Sequence, residues 1–514
     1  MNNITLLDCT LRDGGYYTNW DFDSELVSTY FESLNKLPIV WVEIGYRSKP
    51  QKEYLGEFFY CPDFVLKNVR NRFNGKIAVM LNEKDVQPEY LDELLSSAIG
   101  LVDMVRLAID PKNIARAIVL GKEIKKMGFQ IGFNVMYMSD WKNQPEFLDI
   151  LPNINDVADY FYMVDSYGGI YPEEVKDILQ IVKQRVSIPI GFHGHNNMEL
   201  ALINSLAALE NGATLIDATI TGMGRGAGNL KMELLLTALH AKSSIDLDFN
   251  ALSDITHVFE QLQQKYQWGT NLPYMVSGAN SLPQKDVMDW VGKRFYSYNS
   301  IIRALHNQKN KVDDNDKFEA LDKRISHDEV LIIGGGPSVI GHSKAVKTFL
   351  EKNPNMALIH ASAKNAKEFK GFRNNQYFCL VGIEGNRLEK ILNDFGDING
   401  FCLLPSYPRK MGTYVPNKVK GITRELSEAS FVNSPKDAHT TLALQSALQM
   451  KASKIYIIGY DGYSKAILSP RELELFNENE SIFAAFKRTT KLNLLSLTPT
   501  LYQELFSDSI YTKL

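Results

Sequence analysis

His193-Gly194-His195 follows the apolar run Ile188-Pro189-Ile190-Gly191-Phe192. On a β-strand, residues i and i+2 face the same side, so the two imidazoles can converge on one ion. A carboxylate is at hand in Asp8-Cys9-Thr10-Leu11-Arg12-Asp13-Gly14, directly after another apolar run, Ile4 to Leu7. Two imidazoles and a carboxylate hold a divalent metal and leave positions open for a substrate, which is the arrangement of Lewis-acid chemistry. Taken alone, His-x-His is equally two strand histidines with ordinary partners.

Such residues need strands to position them, and the first half of the chain supplies a regular series. Eight apolar runs stand out: Ile4–Cys9, Val40–Ile44, Lys76–Leu81, Val102–Ile109, Phe129–Tyr137, Ala158–Val164, Ile188–His193 and Thr214–Ile220. Amphipathic stretches separate them, among them Glu25–Leu37, Ala115–Met127, Pro172–Gln184 and Glu199–Asn211. Strand–helix alternation implies parallel strands with crossover helices. Repeats of this number and spacing predict a (β/α)8 barrel, with an open doubly wound sheet as the alternative. The carboxyl ends of the runs carry Arg12 and Asp13, Glu43, Arg106, Asn134, Asp165 with Ser166, His193 with His195, and Thr219. That is the end where barrels of this kind carry their chemistry.

At 514 residues the chain exceeds one ordinary core. We expect an α/β protein with a TIM barrel over residues 1–245, a helical extension over 246–310, a polar linker over 311–328 and a smaller doubly wound α/β domain over 329–514. Apolar content of 45% and charged content of 23% fit a globular protein. A net charge of -4 without a long basic run argues against a nucleic-acid or membrane partner. Met1-Asn2-Asn3 lacks the regions of a signal peptide, and the four cysteines show neither metal nor disulfide-scaffold spacing, so a cytoplasmic location is expected.

Four segments, in order and each at a strand end, resemble the metal-dependent pyruvate aldolases of the 4-hydroxy-2-oxovalerate aldolase type. These belong to the wider barrel family of hydroxymethylglutaryl-CoA lyase and isopropylmalate synthase. The segments are Thr10-Leu11-Arg12-Asp13-Gly14-Gly15, Tyr162-Met163-Val164-Asp165-Ser166-Tyr167-Gly168-Gly169, Phe192-His193-Gly194-His195-Asn196-Asn197 and Ile220-Thr221-Gly222-Met223-Gly224-Arg225-Gly226-Ala227-Gly228-Asn229. The resemblance covers residues 1 to about 300. It implies Asp13, His193 and His195 as ligands of Mn2+ or Mg2+, with Asn229 approaching the metal directly or through water. It implies Arg12 as the residue that stabilises an enolate, Ser166 as a contact of the substrate carboxylate, and Glu43 as a recurrent acid of the second strand. Arg106 joins Arg12 and Ser166 as a candidate substrate-binding residue. The implied partners are a 2-oxo acid and an aldehyde, and a homo-oligomer is compatible with this reading.

The chain departs from the aldolases at one position. A histidine stands four residues after the catalytic arginine in that family, and here the position holds Tyr16. A phenol with its ordinary pKa near ~10 is a poor base at neutral pH. Either Tyr16 serves as donor or acid, a water at the metal relays the proton, or another residue serves. The polar, aromatic segment Gly15-Tyr16-Tyr17-Thr18-Asn19-Trp20 suits a larger hydroxylated partner such as a sugar aldehyde, or is loop packing.

In the second domain, Gly334-Gly335-Gly336-Pro337-Ser338 follows a short apolar strand, where backbone N–H groups can cradle a phosphate. The next glycine is Gly341, off the dinucleotide spacing, and the following strand ends in His360-Ala361-Ser362 without an acidic ribose ligand, so NAD is not expected. With Ile455 to Asp461, the domain loosely resembles bacterial sialyltransferase-like and pterin-pyrophosphokinase-like proteins. That resemblance implies a nucleotide or nucleotide-sugar ligand at Gly334, Gly335, Gly336, Ser338 and Asp461, and a place in surface-polysaccharide synthesis. Two other readings stand beside the lyase: a Claisen-type acyl-CoA condensing synthase, and a catalytically idle metal-binding scaffold.

Overall fold

The apolar runs of the first half form eight parallel strands in the computed structural model: β1 (Thr5–Asp8), β2 (Trp41–Tyr46), β3 (Lys76–Asn82), β4 (Met104–Ile109), β5 (Gln130–Val135), β6 (Tyr160–Asp165), β7 (Ile190–Gly194) and β8 (Leu215–Ala218). The structure describes residues 4–52, 54–242, 245–282, 287, 298–312, 316–409, 414–433, 437–463 and 470–514. Neighbouring strands pair in chain order, and β8 closes on β1 with Thr5 opposite Leu215 and Asp8 opposite Ala218. The sheet is therefore a closed barrel and not the open alternative. Helices cover its outside, so the strands are buried on both faces and read as continuous apolar runs; on β3, Ile77, Ala78, Val79, Met80 and Leu81 are all buried.

The period of two along each strand sorts the interior into layers. Leu7, Trp41, Ala78 and Met104 form an apolar layer with Tyr160 packed against it. Two residues further on, β2, β4 and β6 present Glu43, Arg106 and Tyr162. Asn134, His193 and Asp217 join this second layer from β5, β7 and β8. The apolar layer thus seals the amino end, and the charged layer lies at the carboxyl end where the loops open. Gly191 makes room for it, since a Cβ there would stand 2.3 Å from the Tyr162 ring.

The chain separates into two compact units, Met1–Val287 and Met288–Leu514. In the first, the helix Phe249–Tyr266 packs on the helix Ser24–Leu34, with the Phe259 and Tyr30 rings 6.0 Å apart. Trp268 Nε1 donates to Thr221 O at 3.1 Å, and Asn197 Nδ2 donates to Tyr274 O at 3.0 Å. These bonds brace the loops after β8 and β7. Residues 283–286 and 288–297 of the expected extension, and 313–315 of the expected linker, lie outside the described residues.

The second unit holds a parallel sheet of β9 (Glu329–Ile333), β10 (Ala357–His360), β11 (Gln376–Cys379), β12 (Gly400–Leu404), β13 (Thr423–Glu425), β14 (Lys454–Ile458), β15 (Leu494–Ser496) and β16 (Phe506–Ser507). Its order is β13-β12-β11-β10-β9-β14-β15-β16, so the winding reverses between β9 and β14. Residues 316–328 pack on the edge of this sheet: Leu321 is buried, its N–H donates to Glu425 O at 2.9 Å, and Phe318 N donates to Glu425 Oε1 at 2.7 Å. Phe318, Leu321 and Ile325 pack on the hydrophobic core and anchor an otherwise mostly polar segment. Among the described residues, no helix is long and apolar enough to cross a membrane.

Candidate active site

The site begins where β1 turns directly into the helix Thr10–Thr18. Asp8 makes that turn, accepting from Thr10 N at 2.9 Å and from the hydroxyls of Thr10 and Tyr30 at 3.0 and 2.5 Å. Thr10 Oγ1 in turn accepts from Ile220 N at 2.8 Å, which ties the ends of β1 and β8 together. Arg12 and Asp13 follow in the first turn of the helix, both buried.

His193 and His195 each engage Nδ1 and leave Nε2 for a ligand. His193 Nδ1 lies 2.9 Å from Asp217 Oδ2, and His195 Nδ1 lies 2.7 Å from Asp165 O. Bonds of this kind select the tautomer and aim the ring. His193 Nε2 stands 3.6 Å from Asp13 Oδ2, and the two imidazoles are 5.1 Å apart between centroids. Asn229 Nδ2 donates to Asp13 Oδ2 at 2.7 Å, while Asn229 Oδ1 is buried without a partner. A buried amide oxygen in that state beside a carboxylate and two free imidazole nitrogens fits a hard or borderline divalent cation.

Burial alone would raise the Asp13 carboxyl, but Arg12, His193 and His195 hold it below the usual carboxylate range. Burial, then the neighbouring His193, pulls the His195 imidazole down to about 4, so it is neutral and ligand-ready at neutral pH. The donor atoms of Cys9, Asp13 and His193 also lie within 4.8 Å of one another. Cys9 is a poor member of that group. Burial pushes its thiol well above the ordinary value, and Sγ faces Ala218 O at 3.6 Å.

A cavity of about 580 Å³ opens above these groups, with Arg12, Asp13, Tyr16, His193, His195 and Ser166 in its wall. Arg12 is held by both Asp13 and Glu43, the latter at Nε–Oε2 3.0 Å. Ser166 Oγ accepts from Tyr137 N at 2.9 Å, which leaves its own proton to donate. Tyr16 is 39% exposed at the mouth, and its hydroxyl lies 3.3 Å from that of Tyr46. Glu43 and Arg106 are placed differently from what the sequence suggests. Both are fully buried below the cavity, paired at 2.8 Å, and Arg106 also holds Asp217 at 2.5 Å and Asn134 at 2.9 Å. They stand under the site and brace it.

Sequence reasoning passes over Asp217 and Tyr46. A lone aspartate in Leu215-Ile216-Asp217-Ala218 carries no motif. Its one signal is the alternation that makes it the inward residue after Leu215.

In the second unit, a cavity of about 400 Å³ lies at the carboxyl ends of β9 and β14, lined by Gly334, Gly335, Gly336, Lys364, Arg387 and Asp461 among others. Ser338 does not offer free donors there, because its N–H donates to Asp461 Oδ2 at 2.8 Å and its hydroxyl to Asp461 Oδ1. Gly336 answers an internal need: a Cβ would stand 2.5 Å from Asp461 Oδ1 and 2.6 Å from Gly459 O.

The family model described as HMGL-like matches residues 104–259. A 4-hydroxy-2-oxovalerate aldolase of Pelotomaculum thermopropionicum is 42% identical over 278 residues, covering 51% of this chain and 78% of that protein. The 4-hydroxy-2-oxovalerate aldolase of Geobacillus stearothermophilus is 41% identical over 262 residues, covering 48% of this chain and 72% of that protein. A crystal structure described as the N-terminal domain of a candidate aldolase from Bacteroides vulgatus is 60% identical and superimposes with a TM-score of 0.57, covering 59% of this chain and 100% of that one.

Proposed function

The chain belongs to the HMGL-like aldolase family, and from that premise we propose that its barrel is a divalent-metal carbon–carbon lyase acting on a 2-oxo acid through a pyruvate-type enolate. The observation that carries the reading is the donor set itself: two imidazoles with Nε2 free, the Asp13 carboxylate and the unpartnered Asn229 oxygen, at one end of a roomy cavity. Asp13, His193 and His195 would hold Mn2+ or Mg2+, with Asn229 beside them. Bound there, the cation supplies Lewis acidity toward a keto oxygen.

The chain's own residues account for the remaining steps. In cleavage, the bond between C3 and C4 of a 4-hydroxy-2-oxo acid breaks. Its electron pair stays on C3 as the enolate, and the C4 hydroxyl loses its proton as the aldehyde forms. Arg12 stays cationic and meets the charge gathering on the keto oxygen. Ser166 has a hydroxyl proton left for the substrate carboxylate. Tyr16, paired with Tyr46 in the cavity wall, is the group assigned to relay the C4 hydroxyl proton.

Exchange of pyruvate methyl protons in D2O, followed by NMR with added Mn2+ or Mg2+, tests the reading. We expect exchange that a chelator abolishes. Its absence with either metal would favour the idle scaffold that Tyr16 raises as a rival.

For the second unit we infer a nucleotide or nucleotide-sugar ligand in the cavity where the winding reverses, which is where open α/β sheets bind their ligands. With Ser338 taken by Asp461, the phosphate is assigned to Gly335 and Lys364 in the cavity wall. Calorimetry of the full chain with CMP, CDP, UDP, GDP, ATP and NAD tests it. Binding of NAD alone would reverse the assignment.

A further inference from the structure

The barrel cavity exceeds what a 2-oxo acid and a two-carbon aldehyde fill. At about 580 Å³ it reaches from Asp13 and the histidines to Asn82 at the carboxyl end of β3, and to Lys84 and Asn113 beyond the ends of β3 and β4, and it is of the size that encloses a drug-sized molecule. Arg225 stands in the same wall. Its guanidinium lies over the Tyr16 ring, 5.6 Å from the centroid. Arg12 and Arg106 in this barrel are both matched to carboxylates. Arg225 is half-buried and, among the described residues, has no carboxylate partner.

The backbone that carries Arg225 is fixed. Gly226 O accepts from Tyr17 OH at 3.0 Å, Gly228 N donates to Arg225 O at 3.2 Å, and Asn196 N donates to Gly228 O at 2.9 Å. Asn229 closes the loop on Asp13. The loop is thus tied to the helix that bears Arg12, Asp13 and Tyr16, and its one cation is presented to the cavity beside Tyr16. A half-buried guanidinium without a counter-ion gains most from a bound anion, which it meets with two parallel N–H donors.

We propose that the aldehyde partner of this barrel carries an anionic group, a phosphate or a carboxylate, and that Arg225 is the residue that binds it. The proposal rests on the aldolase reading above. The hydroxyl and amide groups of Tyr46, Tyr137, Asn82 and Asn113 suit a hydroxylated chain between the aldehyde carbon and the anion. The anion is not consumed. The new bond joins the pyruvate methyl carbon to the aldehyde carbon, and the proton lost from the methyl group is balanced by the one gained by the new hydroxyl.

The test uses the Mn2+-loaded full chain with pyruvate and matched aldehydes: glyceraldehyde against glyceraldehyde 3-phosphate, and butanal against succinate semialdehyde. The first pair reads phosphate and the second carboxylate. We expect the anionic member of at least one pair to be favoured in kcat/KM on the order of 10- to 100-fold, as a charge-assisted contact provides. Arg225→Gln should bring that ratio close to one, chiefly through KM, and Arg225→Lys should restore part of it. Equal values within both pairs, a ratio unmoved by Arg225→Gln, or a ratio lost instead in Lys84→Gln each overturns the proposal. Should no aldehyde turn over, calorimetry of the metal- and pyruvate-loaded protein with glycerol 3-phosphate against glycerol, and with 4-hydroxybutyrate against butanol, reads the same preference, and equal binding within both pairs overturns it. Pyruvate proton exchange by the parent protein is scored separately. Its failure removes the aldolase reading, whereas exchange without anionic preference removes only this inference.

Discussion

Asp217 Oδ2 lies 2.9 Å from His193 Nδ1 and 2.5 Å from Arg106 Nη2 in the barrel interior. One carboxylate oxygen therefore serves two purposes. It accepts the hydrogen bond of Nδ1–H and so leaves Nε2 as the bare nitrogen, and it is kept ionised by the arginine beneath. Burial would raise the Asp217 carboxyl, but Arg106 and His193 hold it below the usual range. Asp217→Asn keeps the shape and removes the charge. Metal affinity should fall on the order of 10- to 100-fold, as it does when a carboxylate behind a metal-bound histidine is lost. Thermal stability should fall too, because Arg106 is left with Glu43 as its one ionic partner. A metal titration that gives parent affinity would detach Asp217 from the centre.

The donor set is checked by removing it. His193→Ala with His195→Ala should yield a folded barrel, by circular dichroism, that carries no stoichiometric Mn2+. Cys9→Ser should retain the metal, since a buried thiol facing a carbonyl is no ligand. Metal that survives the double histidine change, or that disappears with Cys9, would redraw the site.

Arg12→Lys preserves a positive charge next to Asp13 and Glu43 but not the planar fork that reaches both. Turnover should drop by roughly 100-fold, the scale of a lost oxyanion donor, with the metal still bound. Parent-like turnover in this variant would take the enolate away from Arg12.

Tyr16→Phe separates two proton transfers. If the phenol relays the C4 hydroxyl proton, carbon–carbon cleavage should slow more than exchange of the pyruvate methyl protons, which needs no such relay. Equal slowing of both, or of neither, would make Tyr16 a packing residue against Trp20, whose ring lies 4.9 Å away.

The barrel was legible from alternation, and the site from the family resemblance that its segments carry. The strands of the barrel show as apolar runs, and their carboxyl ends carry Arg12, Asp13, His193 and His195 in motif-bearing segments. What escaped has physical reasons. The helix Thr10–Thr18 contains Gly14 and Gly15, poor helix formers, and tertiary packing sets them there: a Cβ on Gly15 would stand 2.1 Å from Trp20 and one on Gly14 2.5 Å from Met223 Sδ. Glu43 and Arg106 read as a catalytic acid and a substrate contact at strand ends, but each is the third residue of a six-residue strand, and the interior is wide enough to bury a charged layer beneath the cavity. In the second unit, the glycine turn reads as a phosphate cradle. No local pattern shows that Asp461, over a hundred residues later, caps Ser338 instead.

Asp8 offers a pH test that needs neither metal nor substrate. Burial raises its carboxyl to about 6, against the opposing hydrogen bonds of Tyr30 and Thr10. The folded protein thus binds this proton more tightly than the unfolded chain, whose value stays near 3.8. The stabilising effect of that proton is fully present below pH 4 and is lost as pH rises through about 6, at a cost on the order of 2–3 kcal/mol once the group is ionised. Asp8→Asn carries no such charge. Whatever fixed offset the substitution brings, the melting temperature of Asp8→Asn should therefore gain on that of the parent between pH 4 and pH 8, with most of the change centred near pH 5 to 6. Parallel curves for the two proteins across that range would show that Asp8 is ionised in the fold at little cost, and that the bond from Tyr30 at 2.5 Å compensates its burial.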